Sequence, residues 1–183
     1  MRVIVGVTGA SGALYAKRLL ERLDACEQID EIALIVTDNG YAVAAHENIT
    51  LPSTSKIRLA DNHSMFDSVA SGSASYDAMV VVPCSMGTLG RIASGVSIDL
   101  IGRAADVMLK ERRKLILCPR ETPLSLIHLQ NMERITLAGG VILPASPSFY
   151  SHPSTLLEAC DTVVERLMAQ MGVDTPHFQW SGK

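Results

Sequence analysis

Five short apolar runs rich in Val, Ile and Leu recur along the chain, at residues 3–8, 32–37, 78–83, 114–119 and 140–144. Most are apolar without alternation, as strands must be when both faces of a parallel sheet are covered and neither meets water. Helical stretches separate or follow them, at 13–23, 40–47, 86–94, 99–112, 126–138 and 156–171. Strand alternating with helix admits few architectures. It predicts an α/β fold, Rossmann-like (flavodoxin-like) and doubly wound, with helices on both faces of a mostly parallel sheet. The last helix opens on Thr155 and Glu158, spaced as a capping box, shortly after Pro153. Residues 51–75, rich in Ser, Asn and Gly, read as a surface excursion with a short strand near 57–59. No repeat or linker divides the 183 residues, so a single domain is expected over 1–183, with 173–183 as an extended C-terminal tail.

Charge removes some functions from consideration. A formal net charge of -3 draws the chain neither to nucleic acid nor to an anionic membrane. No apolar run approaches the roughly 20 residues that span a bilayer. Cys26, Cys84, Cys118 and Cys160 are widely spread, with no C-x-x-C pair, which fits free thiols in a reducing compartment, so the cytoplasm is expected. The five histidines form no H-x-x-x-H or H-E-x-x-H pattern, so no metal site is expected.

In open α/β sheets a ligand sits beyond the carboxyl ends of the strands. Five loops with chemistry-bearing residues fall there. Gly9-Ala10-Ser11-Gly12 follows the first run, and its glycines let the backbone approach a ligand while the next helix offers free N–H groups to an anion such as phosphate. Thr37 ends the second run where a dinucleotide site places an acid, so a mononucleotide fits better. Cys84-Ser85-Met86-Gly87-Thr88 offers hydroxyls at a third turn, although Ser85 can also act simply as a helix cap. Cys84 has no histidine near in sequence and reads as packing. Arg120-Glu121 and Ser148-Phe149-Tyr150 complete the set, with Arg166 about three turns into the last helix.

Arg103 and Lys110 lie seven residues apart on a helix, so they project the same way, about 10 Å apart along the axis. Two cations on one face, followed at the end of the next strand by Arg120 and Glu121, suggest a site holding an anion beside an acid or base. Phosphate is the natural candidate. Arg112, Arg113 and Lys114 read instead as a solvated helix end, where cations meet the negative pole of the helix.

The blocks Thr8-Gly-Ala-Ser-Gly12, Pro83-Cys-Ser-Met-Gly-Thr88, Arg103-Ala-Ala-Asp-Val, Lys110-Glu-Arg-Arg113, Arg120-Glu-Thr-Pro123, His128-Leu, Asn131-Met132 and Phe149-Tyr150 closely resemble the UbiX-type flavin prenyltransferases, in order and over essentially the whole chain. The resemblance implies binding of reduced FMN and metal-independent transfer of a dimethylallyl group from dimethylallyl phosphate to flavin N5 and C6. The product, prenylated FMN, serves a UbiD-type decarboxylase, often in ubiquinone synthesis. It implies FMN contacts at Gly9, Ala10, Ser11, Thr37, Ser85, Met86, Gly87, Thr88 and Arg120. The donor phosphate is implied among Arg103, Lys110, Tyr150 and Arg166, with Glu121 handling a proton and Trp180 helping to close the pocket. A homo-oligomer, commonly a dodecamer with pockets completed by neighbouring subunits, is implied as well. Thr37 replaces a serine of many relatives and keeps the hydroxyl. Gly87 stands where some relatives carry lysine, which removes a charge from that loop.

Two other functions share parts of this pattern. FMN-dependent decarboxylases of cysteine-derived substrates have a similar fold but place a histidine shortly before the strand leading to the second flavin loop. Residues 69–75 contain none, and His63 lies far upstream. A non-catalytic FMN carrier would share the flavin contacts and lack transfer.

Overall fold

The computed structural model describes residues 1–174 and places a strand on each apolar run. The elements are β1 (Arg2–Val7), α1 (Ala13–Asp24), β2 (Glu31–Val36), α2 (Asp38–His46), β3 (Ile57–Ala60), β4 (Ala78–Cys84), α3 (Met86–Ala93), α4 (Leu100–Lys110), β5 (Lys114–Pro119), α5 (Leu126–Leu137), β6 (Val141–Ile142) and α6 (Leu156–Met171). All pairings are parallel, in the order β3-β2-β1-β4-β5-β6. Setting aside short β3 leaves the strand order of flavodoxin-like sheets. The chain reverses direction across the sheet at β1, which pairs with both β2 and β4. The loops leaving β1 and β4 therefore diverge to opposite faces and open a crevice at their carboxyl ends.

Alternation within β1 shows how two cores arise. Val3, Val5 and Val7 pack with Leu19, Leu20 and Leu23 of α1 and Val164, Leu167 and Met168 of α6. Ile4 faces the other way, with Met79, Val81, Leu89, Ile101, Met108 and Ile135. Ion pairs fasten α1 to α6 at the surface: Arg18 donates to both oxygens of Asp161 at 2.9 and 2.7 Å, and Arg22 to Glu165 at 3.1 Å. The capping box expected at α6 is formed by Thr155 and Glu158.

Helix ends differ from the sequence reading where caps decide them. α2 begins at Asp38, because the Thr37 hydroxyl accepts from Gly40 N at 3.0 Å and closes the first turn earlier than expected. Asp99 caps α4 rather than belonging to it, and Arg112, at φ 54, lies past its end. β6 is shorter than 140–144, although Leu143 and Ala145 continue to donate to β5 carbonyls; Pro144 has no N–H to give. Residues 51–75 are more than a surface excursion. Arg58 pairs with Asp67 at 2.6 Å and with Glu31 at 3.2 Å, and buried Asn62 accepts from Ile101 N at 3.1 Å, helping to cap α4.

Candidate active site

The crevice is a cleft of about 560 Å³ lined by Gly9, Thr37, Asp38, Asn39, Asn62, His63, Ser85, Gly87, Thr88, Arg91, Ile98 and Asp99. Its floor is set by close approach: a Cβ on Gly9 would lie 2.5 Å from Asn39 Cβ, so only glycine lets β1 run this near α2. Two helices with hydroxyl caps, α2 and α3, begin at the cleft. Thr37 caps α2, and the Ser85 hydroxyl caps α3 by accepting from Thr88 N at 3.3 Å. Each N-terminus carries about half a positive charge. Hydroxyls, carboxamides, these N-termini and the Arg91 guanidinium make a donor set suited to a polar ligand with an anionic group.

Thr8, 1% exposed, ties the β1 loop to the β4 loop. Its hydroxyl donates to Pro83 O at 2.8 Å and accepts from Ser85 N at 2.8 Å. Sequence reading gave Thr8 no role beyond ending a strand.

The glycine turn departs from expectation. Gly12 adopts φ 109, and the first N–H groups of α1 are already taken: Gly12 N and Ala13 N each donate to the Glu47 carboxylate at 2.8 Å. They are not offered to a phosphate. Arg120 reaches the same turn, donating from Nε to Ser11 O at 3.1 Å. Partial burial pushes the Glu47 carboxyl up, but hydrogen bonds from Ser11, Gly12 and Ala13 and the Arg120 charge outweigh it and hold it below its ordinary value. No local motif marks Glu47, which stands 35 residues from Gly12 at the far end of another helix. Glu47→Gln is expected to cost about 1–2 kcal/mol at neutral pH, measured by denaturant unfolding. A depressed carboxyl contributes stability above its unfolded pKa and loses it as pH falls through the folded value, so the gap from wild type should shrink in acid.

Ala10 and Met86 are buried beside their loops. Cys84 is buried in the core, its thiol pushed up by desolvation, in keeping with packing. His63, distant in sequence, lines the cleft at its rim, with Nε2 3.1 Å from Asp38 Oδ1. An acid therefore does follow the second strand, one residue past Thr37, although its side chain is mostly exposed.

The protein family model described as Flavoprotein matches residues 1–172. The chain is 42% identical over 182 residues to "Flavin prenyltransferase UbiX" of Methanocaldococcus jannaschii, covering 98% of this chain and 97% of that protein. Among solved structures it is similar to a dodecameric FMN-dependent UbiX-like decarboxylase from Escherichia coli O157:H7, with TM-score 0.91, 38% identity and full coverage of both chains. It is also similar to AnUbiX in complex with FMN and dimethylallyl pyrophosphate, with TM-score 0.87, 39% identity and 98% of each chain covered.

This chain belongs to the UbiX flavin prenyltransferase family.

In this UbiX family member, the loops after β1, β2 and β4 meet at the cleft, and Arg120 lies against the first of them. Lys110, one of the expected phosphate cations, is not brought to Glu121 within one chain. α4 returns antiparallel to the strands, so Lys110 ends near the amino edge, in a groove with Arg112, Arg113 and Gly139. Glu121 stands beyond the carboxyl end of β5, whose six residues span roughly 20 Å. Arg103 and Lys110 do share a face, as their spacing requires. Arg103 donates to Ala70 O at 3.1 Å and pairs with Asp106 at 2.6 Å, while Lys110 pairs with Glu111 and lies beside Gly72. Arg166 lines another groove, with Ser146, Ser148, Thr162 and Gln170. Tyr150 is exposed at a turn, and Trp180 lies outside the described residues.

Proposed function

We propose that the β1/β4 cleft holds reduced FMN and that the neighbouring surface receives dimethylallyl phosphate, so that this flavin prenyltransferase makes prenylated FMN. The observation that carries this reading is the cleft itself. Two helix N-termini, the Thr37, Ser85 and Thr88 hydroxyls and one guanidinium converge there, on the loops that the sequence resemblance marks for FMN.

Transfer breaks the allylic C–O bond, whose electron pair leaves with phosphate, and forms a bond from flavin N5 to the allylic carbon. Fixed cations at the departing group stabilise charge that develops only in the transition state. Arg103, Lys110, Tyr150 and Arg166 are assigned to the phosphate, and Trp180 to closing the pocket. Gly9, Ala10, Ser11, Thr37, Ser85, Met86, Gly87, Thr88 and Arg120 are assigned to the flavin. The second bond, at C6, forms when the prenyl double bond takes up a proton and the resulting cation attacks C6, which then gives up its ring proton to Glu121 or the released phosphate, so that no net proton is lost. Rigid loops at strand ends hold the two reacting atoms in line.

Because Lys110 and Glu121 stand at opposite edges of one sheet, the phosphate site is assigned to the junction of neighbouring subunits. Exposed Leu126, Ile127, Leu137, Phe149 and Leu156 supply apolar surface for such contacts. A dodecamer is the proposed assembly, and the cytoplasm the proposed location. The proposed recipient of the product is a UbiD-type decarboxylase, with ubiquinone synthesis as a pathway served. The whole chain is assigned to one flavin-binding domain.

Incubating the purified protein anaerobically with reduced FMN and dimethylallyl monophosphate tests the reading. Phosphate release with a matching mass gain on the flavin is expected; tightly bound but unaltered flavin would make the protein a carrier. Glu121→Gln is expected to lower kcat by about tenfold or more while FMN affinity changes less than about twofold.

A further inference from the structure

The turn from Ser85 to Thr88 carries no charge of its own, yet a cation stands over it. Arg91 follows Gly87 by one helical turn, and side chains on a helix lean toward its N-terminus. Its Nη1 lies 3.8 Å from the point where a Cβ on Gly87 would sit, and among the described residues no other part of the fold beyond the local helix backbone and chain neighbours comes within 4 Å of that point. The guanidinium is thereby folded back over the start of α3, the position from which it reaches the cleft. Among the described residues lining that cleft, Arg91 alone is a lysine or arginine.

We propose that Arg91 is the residue that reads the phosphate of the flavin mononucleotide and makes the cleft prefer FMN to riboflavin. The proposal rests on the reading that flavin occupies this cleft. Arg91 is held in place from one side only. Nη2 donates to Thr88 Oγ1 at 3.2 Å and stands 3.6 Å from Asp99 Oδ2. Asp99 is its ion-pair partner on that side, and the other Asp99 oxygen is committed to Gly102 N at 2.8 Å, capping α4. Asp38, the other carboxylate of the cleft, faces His63. Nη1 is left on the side of Gly87 and the α3 N-terminus, where helix dipole and guanidinium add for a dianion. Thr88 has a paired role: its hydroxyl takes a hydrogen bond from Ser85 Oγ at 3.1 Å as well as from Arg91, so the cap and the cation share one anchor.

Gly87 gives the proposal a second handle. Open space at its Cβ position means a longer side chain can leave from there without displacing backbone. A lysine at 87 reaches the region Arg91 now fills.

The experiment is flavin titration of the intact oligomer, with FMN and with riboflavin as separate probes. Four proteins are compared: wild type, Arg91→Gln, Arg91→Lys, and Gly87→Lys combined with Arg91→Gln. Arg91→Gln is expected to weaken FMN about tenfold to hundredfold and to leave riboflavin within about twofold. Arg91→Lys should fall between, because lysine keeps the charge without the planar fork. The double variant should regain most of the lost FMN affinity. Equal losses for both flavins would assign Arg91 a structural role and overturn the proposal, as would an unchanged FMN affinity. A wild-type protein that binds riboflavin and FMN equally also overturns it while leaving the flavin cleft standing. Binding of neither flavin to wild type would sink the cleft reading itself.

Discussion

Chains carrying Lys110→Ala and chains carrying Glu121→Gln, each with little activity as a pure oligomer, are expected to regain prenyl transfer when co-assembled, to about a quarter of wild type for random mixing. The geometry of one chain requires this if both residues serve one site. α4 carries Lys110 to the amino edge, beside Arg113, whose guanidinium donates to Gly72 O and Ala74 O at 2.7 and 3.0 Å. Glu121 sits past the opposite end of β5, and the strand between them cannot be shortened. Only a neighbouring copy can bring the lysine to the glutamate. In a mixed assembly, a site is intact when its lysine comes from the Glu121→Gln chain and its glutamate from the Lys110→Ala chain. Each choice is one in two, hence about a quarter. Lys110→Ala alone should lower kcat/KM for the phosphate donor about hundredfold or more, since it removes a fixed cation from developing charge. FMN affinity should not move, because Lys110 does not line the flavin cleft. Hybrids that demonstrably mix yet stay inactive would remove Lys110 from the Glu121 site.

What could be read in advance follows from how local each signal is. The continuous apolar runs located five strands and their parallel pairing, because burial on both faces leaves a mark within six residues. Glycine turns and the hydroxyls of Thr37, Ser85 and Thr88 stood out for the same reason, and the fold gathers them at one cleft. Features made by distant parts of the chain left no such mark. Glu47 meets Gly12 only because α2 packs beside α1, and Asn62 reaches α4 only because the segment after β3 folds under it. Arg91 belongs to no motif along the chain. Its importance comes from the empty space over Gly87, which is a property of three dimensions. The pairing of Lys110 with Glu121 shows the converse. Residues separated by one strand look adjacent along the chain, while the strand itself holds them a strand's length apart.

Thr8→Val should damage the site more than its size suggests. Valine matches threonine in shape, so packing between β1 and β4 is kept, but the hydroxyl that joins the β1 and β4 loops is lost. Ser85 N then has no acceptor at that position, and Pro83 O loses one of two donors, keeping only Thr8 N at 3.3 Å. A part-buried N–H that loses its acceptor costs about 1 kcal/mol, and for a chain of this length that lowers Tm by on the order of 2–4 °C. The larger effect falls on function. Ser85 caps α3 and anchors Thr88, which in turn holds Arg91, so a shift of the Ser85 backbone displaces three groups of the cleft at once. FMN affinity should drop by about tenfold or more in Thr8→Val. Thr8→Ser separates the hydroxyl from the methyl. It restores both hydrogen bonds and leaves a small void, so it should lose about 1 kcal/mol of stability while binding FMN nearly as wild type does. Flavin titration and thermal unfolding of the two variants give the two readouts. Equal FMN affinities for Val and Ser at position 8 would mean the hydroxyl does not set the second loop, and the link from β1 to the cleft would have to run through packing alone.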